Sequence, residues 1–136
     1  MLHRIKKEND ENKDKWVGIG GKFESGESPF DCVRREILEE TSLKVEHPKY
    51  RGIVTFVSDI YGTEYMHLFT ADSYEGCIRW ECDEGRLEWV KKENIKSLPL
   101  WEGDKIFFDL LDKNIPFFSL KLVYKGDTLI SHEIEF

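Results

Sequence analysis

Residues 21–43, GKFESGESPFDCVRREILEETSL, constrain this chain more than any other stretch of it. Glycines within and just before the segment give the backbone conformational freedom and let a ligand approach the main chain closely. Ser28 followed by Pro29 is typical of a helix start, because serine caps the first turn and proline fits its first position. The segment therefore predicts a glycine-rich loop that leads into a helix beginning at Ser28 or Pro29.

The predicted helix carries an unusual concentration of acid. Glu36, Glu39 and Glu40 fall on one arc, where like charges repel each other and where the helix dipole disfavours anions. A hard divalent cation such as Mg²⁺ or Mn²⁺, which takes oxygen ligands, would offset this charge. The alternative is an ordinary solvated acidic face that Arg34 and Arg35 partly neutralise.

An apolar stripe lies next to this acidic arc on the same helix. Phe30, Val33, Ile37 and Thr41 recur at spacings of three and four residues, which places them on one stripe. We therefore expect this stripe to face a core.

The spacing of the fixed residues in this segment resembles the Nudix box, G-x5-E-x7-R-E-U-x-E-E-x-G-U, in which U is aliphatic. The fixed positions that agree are Gly21, Glu27, Arg35, Glu36, Ile37, Glu39, Glu40 and Leu43. Ser42 departs from the motif, because the family has glycine there. A left-handed conformation just past a helix end costs a residue other than glycine about 1 kcal/mol, so the helix exit is expected to be strained.

The resemblance implies an α/β fold, the Nudix α/β/α sandwich with a mixed β-sheet. The remaining sequence is consistent with it: residues 50–57 and 64–71 are rich in β-formers and predict an antiparallel pair. Further strands and a helix are predicted at 86–90, 104–111 (the helix), 117–124 and 128–136. Residues 1–5 look like the second strand of such a domain, so we expect its usual first strand to be lacking. Reduced stability or strands exchanged in a homo-oligomer would follow.

The resemblance also implies a reaction and the residues that perform it. Nudix enzymes cleave a nucleoside diphosphate linked to a further group, using water activated by metal. By this resemblance Glu36 and Glu40 are the principal metal ligands, Glu39 is a third ligand or the base, and the Gly20 carbonyl is a backbone ligand. Glu84 matches a position where related enzymes place a further catalytic carboxylate; the alternative is a turn-exposed acid.

Two implied contacts concern the loop beside the helix. Glu27 and Arg35 are expected to form an internal ion pair that fixes the loop on the helix. Lys22, next to the glycines, is expected to contact phosphate.

The C-terminal part of the chain resembles MutT-related diphosphatases that remove oxidised purine nucleoside triphosphates such as 8-oxo-dGTP. The resemblance makes Trp101 a base-stacking candidate and Asp104 a base-edge candidate, although core packing is an equal alternative for Trp101. Val17 stands where some of these enzymes have asparagine, and Gly103 stands where they have a second acid. Base discrimination is therefore expected to be looser, or to use groups such as Phe23, Phe107 or backbone amides.

The implied function is hydrolysis of a purine nucleoside triphosphate to monophosphate and pyrophosphate, which would cleanse the nucleotide pool. Two alternatives stay open. One is a Nudix pyrophosphatase acting on ADP-ribose or a dinucleoside polyphosphate. The other is a noncatalytic nucleotide-binding domain, which the three retained box glutamates disfavour.

Composition limits the number of domains, the binding partners and the cellular location that fit this sequence. The 136 residues, 40% of them hydrophobic, fit one domain spanning 1–136. A net charge of −7 argues against nucleic acid duplexes and anionic membranes as partners, and leaves a small nucleotide as the expected one. The polar start is unlike a signal peptide, no apolar run is long enough to span a membrane, and three cysteines are an odd number for disulfides. A cytoplasmic location is therefore expected.

Overall fold

The computed structural model describes residues 1–6 and 10–136. Its elements are β1 (Leu2–Arg4), β2 (Trp16–Val17), α1 (Pro29–Thr41), β3 (Lys49–Ser58), β4 (Gly62–Thr70), β5 (Glu81–Cys82), β6 (Gly85–Leu87), a 3-10 helix (Lys92–Ser97), α2 (Glu102–Asp112), β7 (Phe118–Lys125) and β8 (Thr128–Glu135). The chain divides into a first unit, residues 1–48 and 71–100, and a second unit, residues 49–70 and 101–136. The fold is α/β, as predicted.

The sheet of the first unit is antiparallel throughout, with strand order β2-β1-β6-β5. Its small core is built on Leu2, Cys82 and Leu87. Gly85 is required where β1 and β6 meet, because a Cβ there would lie 1.8 Å from the His3 carbonyl oxygen. The predicted strand at residues 1–5 is confirmed as β1.

The first unit also contains α1, whose start is fixed by its cap. The Ser28 hydroxyl accepts a hydrogen bond from the Asp31 backbone N–H, and the Asp31 carboxylate accepts one from the Ser28 N–H, both at 3.1 Å. This reciprocal pair satisfies two N–H groups that the helix itself leaves without partners. The predicted start is therefore confirmed.

The end of α1 has the left-handed geometry expected at the departure from the Nudix box. Ser42 has φ 65° and ψ 9°, and its N–H donates to the Leu38 carbonyl at 3.0 Å. The helix therefore closes with a conformation that glycine adopts at little cost and serine does not.

The apolar stripe predicted on α1 is only partly buried. Thr41 is buried, Val33 and Ile37 are half-buried, and Phe30 is 36% exposed. The guanidinium of Arg34 lies 5.6 Å from the centre of the Phe30 ring and covers part of it. Phe30 is therefore a surface residue and not a core one.

The second unit is built on a mixed sheet with strand order β4-β3-β7-β8. Strands β3 and β7 run parallel, whereas the β3–β4 and β7–β8 pairs are antiparallel, which confirms both predicted pairs. Val54, Leu120 and Leu122 are fully buried and pack with Phe107 and Leu110 of α2. Each such side chain contributes about 1.5–3 kcal/mol through burial. The predicted helix at 104–111 is confirmed as part of α2.

Two further expectations concern the described chain as a whole. All three cysteines are free thiols. Across residues 1–6 and 10–136, the helices are too short or too polar for any of them to cross a membrane.

Ser42→Gly should stabilise the protein. Glycine removes about 1–2 kcal/mol of left-handed strain. It also makes the unfolded chain more flexible, which destabilises the folded state by about 0.4–1 kcal/mol. The free energy of unfolding should therefore increase by about 0.5–1 kcal/mol. Chemical unfolding monitored by circular dichroism measures this gain. Ser42→Ala is the matched control, because alanine keeps the Cβ and therefore the strain. Equal stability of the two variants would contradict this account of the helix exit.

Candidate functional site

The glycine loop lies along one face of α1. Cys32, Glu36 and Glu40, spaced by four residues, all contact it. The Cys32 thiol donates to the Gly21 carbonyl at 3.9 Å, and the backbone N–H of Gly20 hydrogen-bonds the Glu40 carboxylate. A Cβ added at Gly21 would come within 2.4 Å of the Glu36 carboxylate. Glycine at position 21 therefore leaves the space that the Glu36 side chain fills.

Arg35 ties this loop to the helix. Its Nε and Nη2 donate to the two oxygens of Glu27 at 2.7 and 2.9 Å, and Nη2 also donates to the Lys22 carbonyl at 3.0 Å. The hydrogen bonds from Arg35 lower the pKa of Glu27, and the pairing raises the pKa of Arg35. The predicted ion pair between Glu27 and Arg35 is thus present, in the two-pronged geometry that makes such pairs specific.

The remaining nitrogen of Arg35 faces the acidic arc. Nη1 donates to Glu36 at 2.8 Å and to Glu39 at 3.1 Å. Glu36 is largely buried in this arrangement, whereas Glu39 is 58% exposed. Arg34 plays no part in it, since its guanidinium donates to the Glu46 carbonyl. Arg35 therefore neutralises the arc without Arg34.

Glu40 is the most unusual acid of the site. It is 9% exposed, and its Oε2 is buried without a hydrogen-bond partner. Burial raises its pKa to about 7, helped by the negative charges of Glu84 and Glu36, whereas the Gly20 N–H and Arg4 act in the opposite direction. An unsatisfied buried oxygen costs about 1–3 kcal/mol. The fold therefore keeps Glu40 in an environment that disfavours its charged form.

Glu84 lies in the two-residue turn between β5 and β6. Its side chain is only 28% exposed, and Arg4 Nη1 lies 3.0 Å from its Oε2. Its negative charge raises the pKa of Glu40, so the two carboxylates are near each other. Glu84 thus lies in a turn, as the alternative had it, but it is half-buried, pairs with Arg4, and its charge acts on Glu40.

The donor set suits a hard cation. Glu36, Glu40 and Glu84 are together called the acidic centre: burial and then the charges of Glu84 and Glu36 raise the pKa of Glu40, and a buried oxygen of Glu40 has no hydrogen-bond partner. As the side chains lie, the described ranges 1–6 and 10–136 contain no three His, Cys, Asp or Glu residues placed to hold a metal ion. Glu36 and Glu39 instead contact Arg35. Metal ligation by these residues, and by the Gly20 carbonyl, stays a prediction.

The four predicted substrate contacts fall in different units. Lys22 and Phe23 are exposed in the loop of the first unit. In the second unit, Trp101 immediately precedes α2 and lies edge-on to Tyr124, with ring centres 5.3 Å apart. Asp104 in the first turn of α2 is 7% exposed, and burial raises its pKa to about 7. Their roles in substrate binding stay predictions.

Sequence reasoning missed a basic residue at the acidic centre. Arg4 pairs with Asp10 through Nε at 2.6 Å and with Glu84 through Nη1 at 3.0 Å. Glu84 is 80 positions away in the chain. The register of β1 on β6 brings the two residues together, and nothing in the local pattern around Arg4 indicates that pairing.

Comparison with known proteins places this arrangement in a family. The NUDIX domain model matches residues 1–111. The chain belongs to the Nudix hydrolase family, as the box predicted. It is 40% identical over 102 residues to an uncharacterized Nudix hydrolase, YvcI, of Bacillus subtilis, which is 72% of this chain and 65% of that protein. The chain thus spans slightly less than two thirds of that relative.

Other relatives carry more specific names. Proteins named oxidized purine nucleoside triphosphate hydrolase in Danio rerio and Mus musculus are 34% and 32% identical to the chain. The matches cover 89% and 88% of this chain and 78% and 77% of those proteins. The crystal structure of the Bacillus halodurans mutator MutT protein superposes with a TM-score of 0.84 at 33% identity, covering 89% of this chain and 82% of that one. The predicted MutT-like Nudix fold is therefore confirmed.

Asp104→Asn should stabilise the protein in a pH-dependent way. The folded-state pKa of Asp104 lies above its usual value of 3.8, so the folded protein holds this proton more tightly than the unfolded chain does. The stability of the wild-type protein therefore decreases as pH rises from about 4 to about 7. Asparagine does not ionise, so its advantage should grow across that window and reach about 2–4 kcal/mol above pH 7. Urea unfolding between pH 4 and 8 measures it. Asp112→Asn, at an exposed acid of the same helix, is the control. A difference that does not change with pH would contradict the prediction.

Proposed function

We propose that this protein hydrolyses a purine nucleoside triphosphate, of the oxidised type represented by 8-oxo-dGTP, to nucleoside monophosphate and pyrophosphate. The observation that carries the proposal is the buried, unpartnered oxygen of Glu40 beside Glu36 and Glu84. The Nudix box around these residues and the names of the zebrafish and mouse relatives support it.

The acidic centre would hold Mg²⁺ or Mn²⁺ through Glu36 and Glu40, with Glu39 and the Gly20 carbonyl as further ligands. Such an ion, when bound, lowers the pKa of a coordinated water and neutralises charge on phosphate oxygens. Glu39, which is 58% exposed, or Glu84 would accept the proton of the attacking water. Arg35 stays hydrogen-bonded to Glu27 and to the Lys22 carbonyl and so holds the loop in place during the reaction.

Substrate binding is assigned to the other predicted residues. In the first unit, Lys22 is the candidate donor to the phosphates, and Phe23 offers an aromatic face. In the second unit, Trp101 is a separate candidate for stacking on the base. Asp104, with a pKa raised to about 7 by burial, is present as both acid and carboxylate near neutral pH. A carboxyl group that can donate as well as accept hydrogen bonds suits the altered donor pattern of an oxidised purine.

A nucleotide panel tests the proposal. With Mg²⁺ or Mn²⁺, 8-oxo-dGTP should give pyrophosphate and monophosphate at a higher kcat/KM than dGTP or ATP. Release of AMP from ADP-ribose or diadenosine tetraphosphate, with triphosphates left intact, would contradict the proposed substrate and favour the other Nudix activity. Nucleotide binding without hydrolysis of any panel member would make the domain noncatalytic.

Glu36→Gln and Glu40→Gln should each lower kcat by about a hundredfold or more. Each substitution removes one negatively charged ligand of the ion that would stabilise the charge on the phosphate oxygens. Glu40→Gln should not destabilise the fold, since it removes a buried charge. Steady-state kinetics and thermal unfolding measure the two effects. Glu46→Gln, at an exposed glutamate of the first unit, is the control. Undiminished turnover in both variants would refute the ligand assignment.

The neighbouring glycines 20 and 21 provide a matched pair. Gly21→Ala should displace the Glu36 carboxylate, because the new Cβ would lie 2.4 Å from it, whereas nothing lies within 4 Å of a Cβ at Gly20. Gly20→Ala keeps its carbonyl. We therefore expect loss of turnover and of Mn²⁺ affinity in Gly21→Ala alone, measured by kinetics and calorimetry. The same loss in both variants would show that loop flexibility, and not space for Glu36, is what the glycines supply.

A further inference from the structure

Arg4 joins two acids that are far apart in the sequence. It ends β1, and its guanidinium uses Nε on Asp10 at 2.6 Å and Nη1 on Glu84 at 3.0 Å. The side chains of Arg4 and Asp10 are 17% and 5% exposed. The guanidinium is therefore held at two edges in a largely enclosed setting, where its geometry is fixed more firmly than that of a surface ion pair.

The backbone of Glu84 is fixed against the same strand. Gly85 pairs with Arg4 in the β1–β6 ladder, and the contact is too close for any side chain at position 85. The Lys6 N–H also donates to the Glu84 carbonyl at 3.4 Å. The backbone position of Glu84 is thus set by strand pairing, and the direction of its side chain is set by Arg4.

Asp10 holds the guanidinium from the other side. Its second oxygen accepts a hydrogen bond from the Asn12 N–H at 3.0 Å. The Arg4 backbone is itself anchored, because its N–H donates to the Lys15 carbonyl at 3.0 Å and its carbonyl accepts from the Asp14 N–H at 2.7 Å. A planar fork can engage Asp10 and Glu84 at once, whereas the single ammonium of lysine cannot reproduce both directions.

Repulsion explains why Glu84 needs such a partner. Its charge and that of Glu36 both act on Glu40, and Arg4 is the cation that acts on Glu40 in the opposite sense. Without a fixed counter-charge, the Glu84 carboxylate would turn away from the other two acids toward solvent.

We infer that Arg4, held by Asp10, is a positioning residue that keeps the Glu84 carboxylate beside Glu40 and so completes the acidic centre. The inference rests on the proposed function and extends it, because it adds Glu84, named above as a possible proton acceptor, to the carboxylates that hold the ion. Arg4 acts through Glu84 and does not itself contact the ion.

Direct Mn²⁺ binding without nucleotide, measured by isothermal titration calorimetry, tests this. Arg4→Lys keeps the positive charge but loses the planar guanidinium that pairs with two carboxylates at once. It should weaken Mn²⁺ binding by about tenfold, as removal of a residue that orients a metal ligand does. In a Glu84→Gln background the same substitution should have no further effect. Lys6→Gln, which removes a cation paired with exposed Glu81 in the same segment, is the control and should bind Mn²⁺ like wild type.

The outcomes separate positioning from charge. If Arg4 acted only as a charge, Arg4→Lys would bind like wild type and Arg4→Gln would bind more tightly. Either result overturns the inference, as does an equal loss in the Glu84→Gln background. Thermal unfolding shows whether each variant is folded. If Arg4→Lys does not fold, Asp10→Asn provides the test instead. Asp10→Asn should weaken Mn²⁺ binding about twofold to tenfold, again only when Glu84 is present.

Failure of the inference and of the proposed function look different. Wild type that hydrolyses nucleotides with Mn²⁺ while Arg4→Lys and Asp10→Asn bind the ion normally refutes the inference alone. Wild type that neither binds Mn²⁺ nor hydrolyses any nucleotide refutes the proposed function, and the inference falls with it.

Discussion

The guanidinium of Arg35 holds together the part of the molecule on which its chemistry depends. One side chain binds both oxygens of Glu27, the carbonyl of Lys22, and the carboxylates of Glu36 and Glu39. Glycine-rich loops lose much conformational entropy on ordering, and a five-donor planar cation can offset that cost at several points at once. The loop backbone can then lie along α1 closely enough to contact Cys32, Glu36 and Glu40.

This arrangement concentrates negative charge at a cost to stability. Arg35 offsets the charge of Glu36 and Glu39, and Arg4 offsets that of Glu84, while Glu40 is left buried with an oxygen that has no partner. Two arginines from distant parts of the chain therefore pair with the other acids, whereas burial raises the pKa of Glu40 to about 7. Unfavourable burial of this kind is expected at functional sites, where a bound ligand supplies the missing interaction.

Local chemistry made much of this predictable. The Ser28 cap, the left-handed Ser42 and the Glu27–Arg35 pair follow from short-range rules and from the spacing of the Nudix box. The two strand pairs of the second unit follow from β-former content and short turns. The helix stripe was less reliable, because Arg34 covers Phe30 at the surface and periodicity alone does not reveal such a contact.

The contacts that escaped prediction are long-range. Arg4 meets Glu84 only because β1 pairs with β6 in a register that depends on Gly85. The sequence shows a basic strand end and an acidic turn, but not that they touch. The burial of Glu40 likewise depends on where the loop lies on α1.

A crystal structure with Mn²⁺, read from the anomalous scattering of the ion, tests the central claim most directly. The account predicts an anomalous peak within coordination distance of Glu40, with Glu36 and Glu84 turned toward it and Glu27 still bound to Arg35. A peak elsewhere, or none at saturating Mn²⁺ while Glu40 stays buried and unpartnered, would contradict it.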